Sequence, residues 1–369
     1  MRILFYAPLK PLGHDHPSGD LVTATEIVDF LVKKGHEVIQ ASALRCRWIY
    51  WKPWLWPKLG LESEHMLRQF QNEGIDIWFT YHTYYKAPDL LGPQAAKKLN
   101  IPYVIFQGIY ATKRRRSLKT LPGFYLNKKA LGAAQHIFTN KTVDWMNLKR
   151  LVSADRLSYI SPGIHPAAFR FDEDARQMLR SQWKVVDEPV VFSAAMFRAD
   201  VKTEGLSWVI RTCGKLYRQG NPLWLVIAGD GKEKDKLKQL ADTHLPQRVR
   251  FVGRIDRSEM YRYYSAGDLF VFPGIQESLG MVFLEAQACG LPVAAFDNAG
   301  VPDAVKDGIT GLLVPAFDAK AFEDAIARLL NDVDLRRRMG HAGKVYVRQH
   351  HDLNRNYQKM ESVLQKFLQ

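Results

Sequence analysis

The strongest constraint in this chain of 369 residues is a rhythm that runs twice. Short β-prone apolar runs alternate with segments of helical period on both sides of Ser161-Pro-Gly163. On the first side, Ile3–Ala7 reads as a strand, Leu21–Lys34 as an amphipathic helix stopped by Gly35, and Val38-Ile39 as the next strand. Ile75–Thr80, Pro102–Gln107 and His136–Thr139 continue the strands, with a helix over Pro93–Leu99. On the second side, strands are expected at Val190–Ala194, Leu223–Ala228, Val249–Val252, Leu269–Phe272 and Val293–Phe296. Between them the pattern predicts helices at Trp208–Gln219, Glu233–His244, Arg257–Ala266 and Leu279–Cys289.

Strand–helix–strand repetition of this kind builds parallel sheets covered on both faces. The expected fold class is α/β, with two doubly wound, Rossmann-like domains at residues 1–165 and 166–349. Asn354–Leu368 has an amphipathic pattern, so a helix within 350–369 either ends the second domain or packs back on the first. Doubly wound sheets bind ligands beyond the carboxyl ends of their strands, so two facing domains would hold theirs in a central cleft.

Composition removes several classes. With 47% hydrophobic and 24% charged residues, the chain can bury a core and is not generally disordered. Cys46, Cys213 and Cys289 are too far apart for a disulfide framework or a zinc ligand set, and read as buried thiols of a reducing compartment. No apolar run nears the roughly 18 residues of a spanning helix, and the first residues lack a signal-peptide pattern, so a cytoplasmic location is expected. The net charge of +14 is uneven. Residues 1–165 hold 23 Lys and Arg against 12 Asp and Glu, whereas residues 166–369 hold 29 against 26. Such a chain is drawn to polyanions or anionic small molecules.

The segment Pro273–Pro292 carries the most chemistry. A strand ends at Pro273, a short loop bears Glu277 and Ser278, and a helix is expected from Leu279. Amides in the first turn of a helix lack partners and suit a phosphate. Ser278 is the candidate N-cap, and Gly280 would let a ligand approach the backbone. Glu277 and Glu285, eight residues apart, could each accept hydrogen bonds from sugar hydroxyls.

This stretch resembles the retaining glycosyltransferases of the GT-B fold, family 4, also called glycosyl transferases group 1. The resemblance rests on Glu277-x7-Glu285 with its neighbours Ser265–Pro273, Ala286–Val293, Ala299–Asp303 and Asp307–Pro315. It implies that Glu277 contacts the donor sugar, that Glu285 accepts from the nucleotide ribose, and that the backbone of Leu279, Gly280, Met281 and Val282 faces the sugar and distal phosphate. It further implies that Arg198 and Lys202, after the strand Val190–Ala194, neutralise the leaving diphosphate. The family spacing there is Arg-x4-Lys-Gly, whereas here three residues intervene and Gly205 comes later. Gly229 in Ala228-Gly-Asp-Gly231, and Gly253-Arg254, would line the nucleotide. Gly19 matches one of a family glycine pair. Where the family often has His, this chain has Gln107, with His82 as a substitute; His165 stands where the family often has Asp. No cofactor beyond a UDP-, GDP- or ADP-sugar, and no metal, is implied.

Two further segments concern partners. Trp48, Trp51, Trp54 and Trp56 stand among basic residues, and Arg114, Arg115 and Arg116 form a basic run. Aromatic and cationic side chains together suit an anionic membrane surface, which would place the protein at the inner face of the membrane. The leading reading is transfer of a sugar from a nucleotide-diphosphate donor to a saccharide or lipid-linked acceptor, in cell-envelope polysaccharide or glycolipid synthesis. A basic nucleic-acid-binding protein is an alternative permitted by charge, though no nucleic-acid module is present. A dinucleotide oxidoreductase is another, but no Gly-x-Gly-x-x-Gly follows the first strand.

Overall fold

A computed structural model describes residues 1–14, 19–185 and 187–368. The chain divides into two compact units, Met1–Pro162 with Asn354–Gln369, and Gly163–Leu353. The first contains β1 (Arg2–Tyr6), α1 (Gly19–Lys33), β2 (Glu37–Ser42), α2 (Trp56–Phe70), β3 (Ile77–Thr83), α3 (Gly92–Leu99), β4 (Tyr103–Gly108), α4 (Leu121–Ala133), β5 (His136–Thr139), α5 (Thr142–Leu148) and β6 (Leu157–Tyr159). Its strands form one sheet in the order β2-β1-β3-β4-β5-β6, every neighbour parallel. β3, Ile-Trp-Phe-Thr-Tyr-His-Thr, is buried at every position, as a strand covered on both faces must be.

The second unit contains α6 (Glu173–Trp183), β7 (Val190–Ala194), α7 (Val201–Arg218), β8 (Trp224–Ala228), α8 (Lys234–His244), β9 (Val249–Gly253), α9 (Met260–Ala266), β10 (Leu269–Val271), α10 (Met281–Ala288), β11 (Val293–Asp297), α11 (Val301–Ala304), β12 (Gly311–Pro315), α12 (Ala319–Asn331) and α13 (Val333–His350). The sheet order is β12-β11-β10-β7-β8-β9, again parallel throughout. Its core includes an aromatic chain, Tyr264 to Phe192 at 5.2 Å between ring centroids and Phe270 to Phe283 at 5.8 Å. Asp268 fastens α6 to this sheet. It accepts from Arg176 at 2.6 Å, Arg180 at 2.9 Å and the Val190 amide at 2.7 Å. Burial alone would raise its pKa, yet the Arg176 charge and the amide bring it below the ordinary carboxylate value.

The last helix, α14 (Leu353–Gln365), belongs to the first unit from Asn354 onward. Tyr357 packs edge-on against Phe30 and Phe106, and His36 Nε2 meets Glu361 Oε1 at 3.0 Å. Among the described residues, no helix is long and apolar enough to cross a membrane.

Candidate active site

In the second sheet β7 and β10 lie side by side, while their onward connections leave in opposite directions, to β8 and to β11. That reversal opens a crevice beyond their carboxyl ends, the place where doubly wound sheets bind ligands. The residues singled out in the sequence arrive there from both strands.

Beyond β7 the chain turns at Asp200, whose carboxylate accepts from the Lys202 amide at 2.8 Å and caps α7. The helix therefore begins seven residues before the expected Trp208, and Lys202 lies in its first turn rather than in a loop. Gly205 follows on the same helix because a Cβ there would come within 2.9 Å of the Phe272 ring. Beyond β10 the chain carries Glu277. Lys202 Nζ donates to Glu277 Oε1, and both side chains are largely shielded, at 25% and 15% exposure. Burial pulls the Lys202 ammonium below its ordinary value, the Arg198 charge adds to this, and Asp200 opposes it. Arg198 is exposed, with Nη2 donating to Met196 Sδ at 3.2 Å. A shielded cation and anion thus stand at the crevice, with an exposed guanidinium nearby.

The Glu277 loop is held in a costly backbone shape. Gln276 at φ 57° and Ala299 at φ 51° occupy the left-handed region, which side chains other than glycine rarely adopt. The Gln276 amide donates to Asn298 Oδ1 at 3.1 Å, and the Gly300 amide to the Glu277 carbonyl at 2.9 Å. A Cβ on Gly300 would fall 1.9 Å from the Ser278 carbonyl oxygen, so glycine alone lets these loops touch. Asn298 and Gly300 had no role assigned from sequence; the signal was the run Asn298-Ala-Gly300 beside a strand end.

The helix that follows starts later than its pattern suggests. α10 begins at Met281, and Gly280, at φ 80°, occupies the N-cap position. Ser278 is therefore not the cap: its residue is exposed and its carbonyl rests on Gly300. The left-handed turn at Gly280 fits because a Cβ there would lie 2.5 Å from the Phe283 ring. Leu279 is buried and Met281 and Val282 are half-buried against the core, so these residues offer mainly backbone. The first-turn amides of α10 carry the positive end of its dipole. Deeper along the helix, Glu285 is buried; Tyr264 donates to Oε2 at 3.0 Å and Arg257 Nε lies 3.5 Å from Oε1. Burial raises the Glu285 pKa, against the Arg257 charge and the Tyr264 hydrogen bond.

Neighbouring strand exits are laced to this crevice. Gly229 donates to the Gly253 carbonyl at 2.8 Å, and its own Cβ would sit 1.9 Å from the Ala195 carbonyl. Gly253 closes β9, and Arg254 beyond it is exposed.

In the first unit His82 (φ 57°) and Gln107 (φ 61°) are the next-to-last residues of β3 and β4, both buried and both left-handed. The His82 ring stacks on Tyr84 at 5.0 Å, and Tyr81 donates to Gln107 Oε1 at 3.2 Å. Gly19 opens α1, while its neighbours Pro17 and Ser18 lie outside the described residues. Trp51 Nε1 donates to the Lys119 carbonyl at 2.9 Å, which joins the Trp segment to the basic run. Trp48, Trp51, Leu118 and Lys119 line an apolar hollow of about 530 Å³. Trp51, Trp54, Trp56 and Leu118 are 51%, 70%, 56% and 82% exposed, and Arg114 to Arg116 lie in the adjoining turn Thr112–Arg116.

Residues 177–346, just under half the chain, match the family described as glycosyl transferases group 1. Alpha-D-kanosaminyltransferase of Streptomyces kanamyceticus is 33% identical, covering 56% of this chain and 53% of that protein. The GDP-mannose-dependent alpha-(1-6)-phosphatidylinositol monomannoside mannosyltransferase of Mycobacterium tuberculosis is also 33% identical, covering 53% and 52%. The chain spans about half the length of these curated relatives. Among solved structures, sucrose-phosphate synthase of Thermosynechococcus elongatus superposes with a TM-score of 0.70 at 21% identity, covering 100% of this chain and 99% of that one. The fold is GT-B.

The support of the Glu277 loop can be tested directly. Gly300→Ala is expected to lower stability by about 1–3 kcal/mol in denaturant unfolding, from the clash with the Ser278 carbonyl. Unchanged stability would mean that the two loops do not touch as described.

Proposed function

We propose that this chain is a retaining glycosyltransferase of family 4, moving a sugar from a nucleotide-diphosphate donor to a saccharide or lipid-linked acceptor. The observation that carries the reading is the shielded Lys202–Glu277 pair at the β7/β10 switch point, beside the amino end of α10. It is supported by the family match over residues 177–346, which contains all three features. A nucleic-acid-binding or oxidoreductase reading leaves this pairing without a purpose.

Transfer breaks the bond between the sugar's anomeric carbon and the diphosphate oxygen. The negative charge that gathers on that oxygen is met by Lys202, by Arg198 and by the first-turn amides of α10. These cations do the work that a divalent ion does elsewhere, so the reaction is expected to persist with chelator present. The acceptor hydroxyl attacks from the face that the phosphate leaves, and its proton passes to a departing phosphate oxygen, which retains the anomeric configuration. Glu277 holds sugar hydroxyls and, with no donor bound, neutralises Lys202. Glu285 accepts from the ribose. A charged acceptor bond of this kind contributes on the order of 1.5–3 kcal/mol. Acceptor binding is assigned to the first unit, with His82 and Gln107.

The acceptor reading favours a lipid-linked molecule. The exposed tryptophans and Leu118, bordered by Arg114, Arg115, Arg116 and Lys119, suit an anionic headgroup layer. The M. tuberculosis relative, by its name, mannosylates a phosphatidylinositol mannoside, a lipid acceptor.

Two measurements test the proposal. Across a panel of UDP-, GDP- and ADP-sugars, wild-type protein should transfer one sugar, with the product anomer retained by NMR. Glu277→Ala, Lys202→Ala and Arg198→Ala should lose nearly all transfer while remaining folded, and Glu285→Ala should chiefly raise the donor KM. Normal turnover in Glu277→Ala or Lys202→Ala, or an inverted product, would refute the assignment. Separately, the protein should sediment with phosphatidylglycerol vesicles and not with phosphatidylcholine vesicles, and Trp51→Ala/Trp54→Ala should release it. Equal behaviour of the double variant and wild type would remove the membrane surface from the account.

A further inference from the structure

The opposite edge of the second sheet, at the amino ends of its strands, carries another concentration of charge. Helices α6 and α13 flank a groove of about 580 Å³, floored by the Gly267-Asp268 turn before β10 and the Gly290-Leu291 turn before β11. The volume lies within the range of roughly 300–1,000 Å³ typical of small-molecule sites. Its place, at the ends of the strands away from Lys202 and Glu277, separates it from the crevice described above.

The charges in the floor do not balance. Asp268 holds Arg176 and Arg180 at 2.6 and 2.9 Å, and it also acts on the half-buried Arg336, whose Nη1 donates to the Leu329 and Leu330 carbonyls at 2.6 Å each. Asp268, with Asp332 also acting on Arg336, thus faces three guanidinium groups in a shielded place, where cations are ordinarily paired. Burial, with the Arg176 charge adding to it, pulls Arg336 below its ordinary value. Arg337 and Lys344 extend the positive field along α13, while Glu173 at the mouth offsets a single charge. The rim is apolar as well as cationic: Phe171 and Val333 are 43% and 46% exposed, and the Lys344 ammonium lies 5.2 Å from the Phe171 ring centroid.

We propose that this groove binds a small phosphorylated organic molecule, a phosphomonoester of sugar-phosphate size. The phosphate takes the surplus charge of Arg176 and Arg336, reinforced from the rim by Arg337 and Lys344. Guanidinium groups suit this because their planar donors match phosphate oxygens in pairs. The organic part lies against Phe171 and Val333. A ligand so placed ties α6 to α13, and therefore stabilises the second unit.

The test uses the full chain and a hexose 6-phosphate as probe, read by calorimetry and thermal shift. Saturable binding with an upward shift of Tm is expected, and none with the unphosphorylated hexose. Arg337→Ala/Lys344→Ala should bind at least about tenfold more weakly, the loss of charge-assisted contacts to phosphate. Lys202→Ala should bind as wild type does, which separates this groove from the diphosphate site. The double variant's unliganded Tm checks that it folds, and the exposed Arg337→Glu serves if it does not. No saturable binding at millimolar probe, equal binding by the rim variant, or loss of binding in Lys202→Ala would each overturn the proposal.

Discussion

The adjacency of β7 and β10 governs the candidate site. Because one strand is followed by β8 and the other by β11, the chain leaves the sheet centre twice in opposite directions. A gap at that point is unavoidable, and each exit delivers a side chain to it. Lys202 comes from the first turn of α7 and Glu277 from the loop before α10, though 75 residues separate them in sequence. Their ion pair is weak evidence for stability, since shielding two charges costs nearly what their attraction returns. Under the proposed function it keeps a cation in place for a negatively charged ligand.

Around this pair the backbone gives up comfort for position. Left-handed Gln276 and Ala299 hold the Glu277 loop against Gly300, and glycines at 229 and 280 allow contacts that a Cβ would forbid. Strain of this kind persists only where the surroundings over-determine it. The same device recurs in the first unit, where left-handed His82 and Gln107 stand one residue before the ends of β3 and β4.

The β-α rhythm is legible in the sequence because strands buried on both faces read as continuous apolar runs, and ten of the twelve strands among the described residues are visible that way. β6 and β12 are not legible; β6, Leu-Ser-Tyr, buries only Leu157 and so shows no apolar run. α2 was hidden by the Trp-rich start at Trp56-Pro57 and by Gly60, which read as a surface segment. The first turns of α7 were missed because Asp200, Thr203 and Gly205 look like loop residues, although Asp200 is a cap and Gly205 packs on Phe272. Ser278 looked like a cap for a helix that in fact starts beyond Gly280. The family resemblance could name Glu277, Arg198 and Lys202, but not which cation meets the carboxylate. Net charge misled in a similar way. Residues 166–369 are nearly balanced overall, yet positive surplus gathers locally between α6 and α13.

On the proposed function, the β7/β10 crevice receives a nucleoside diphosphate through Lys202. Calorimetric titration of UDP, GDP and ADP into the acceptor-free protein tests it most directly. Saturable one-to-one binding of one of the three is expected, weakened at least about tenfold in Lys202→Ala by loss of a charge-assisted contact. Failure of all three to bind, or equal affinity in wild type and Lys202→Ala, would contradict it.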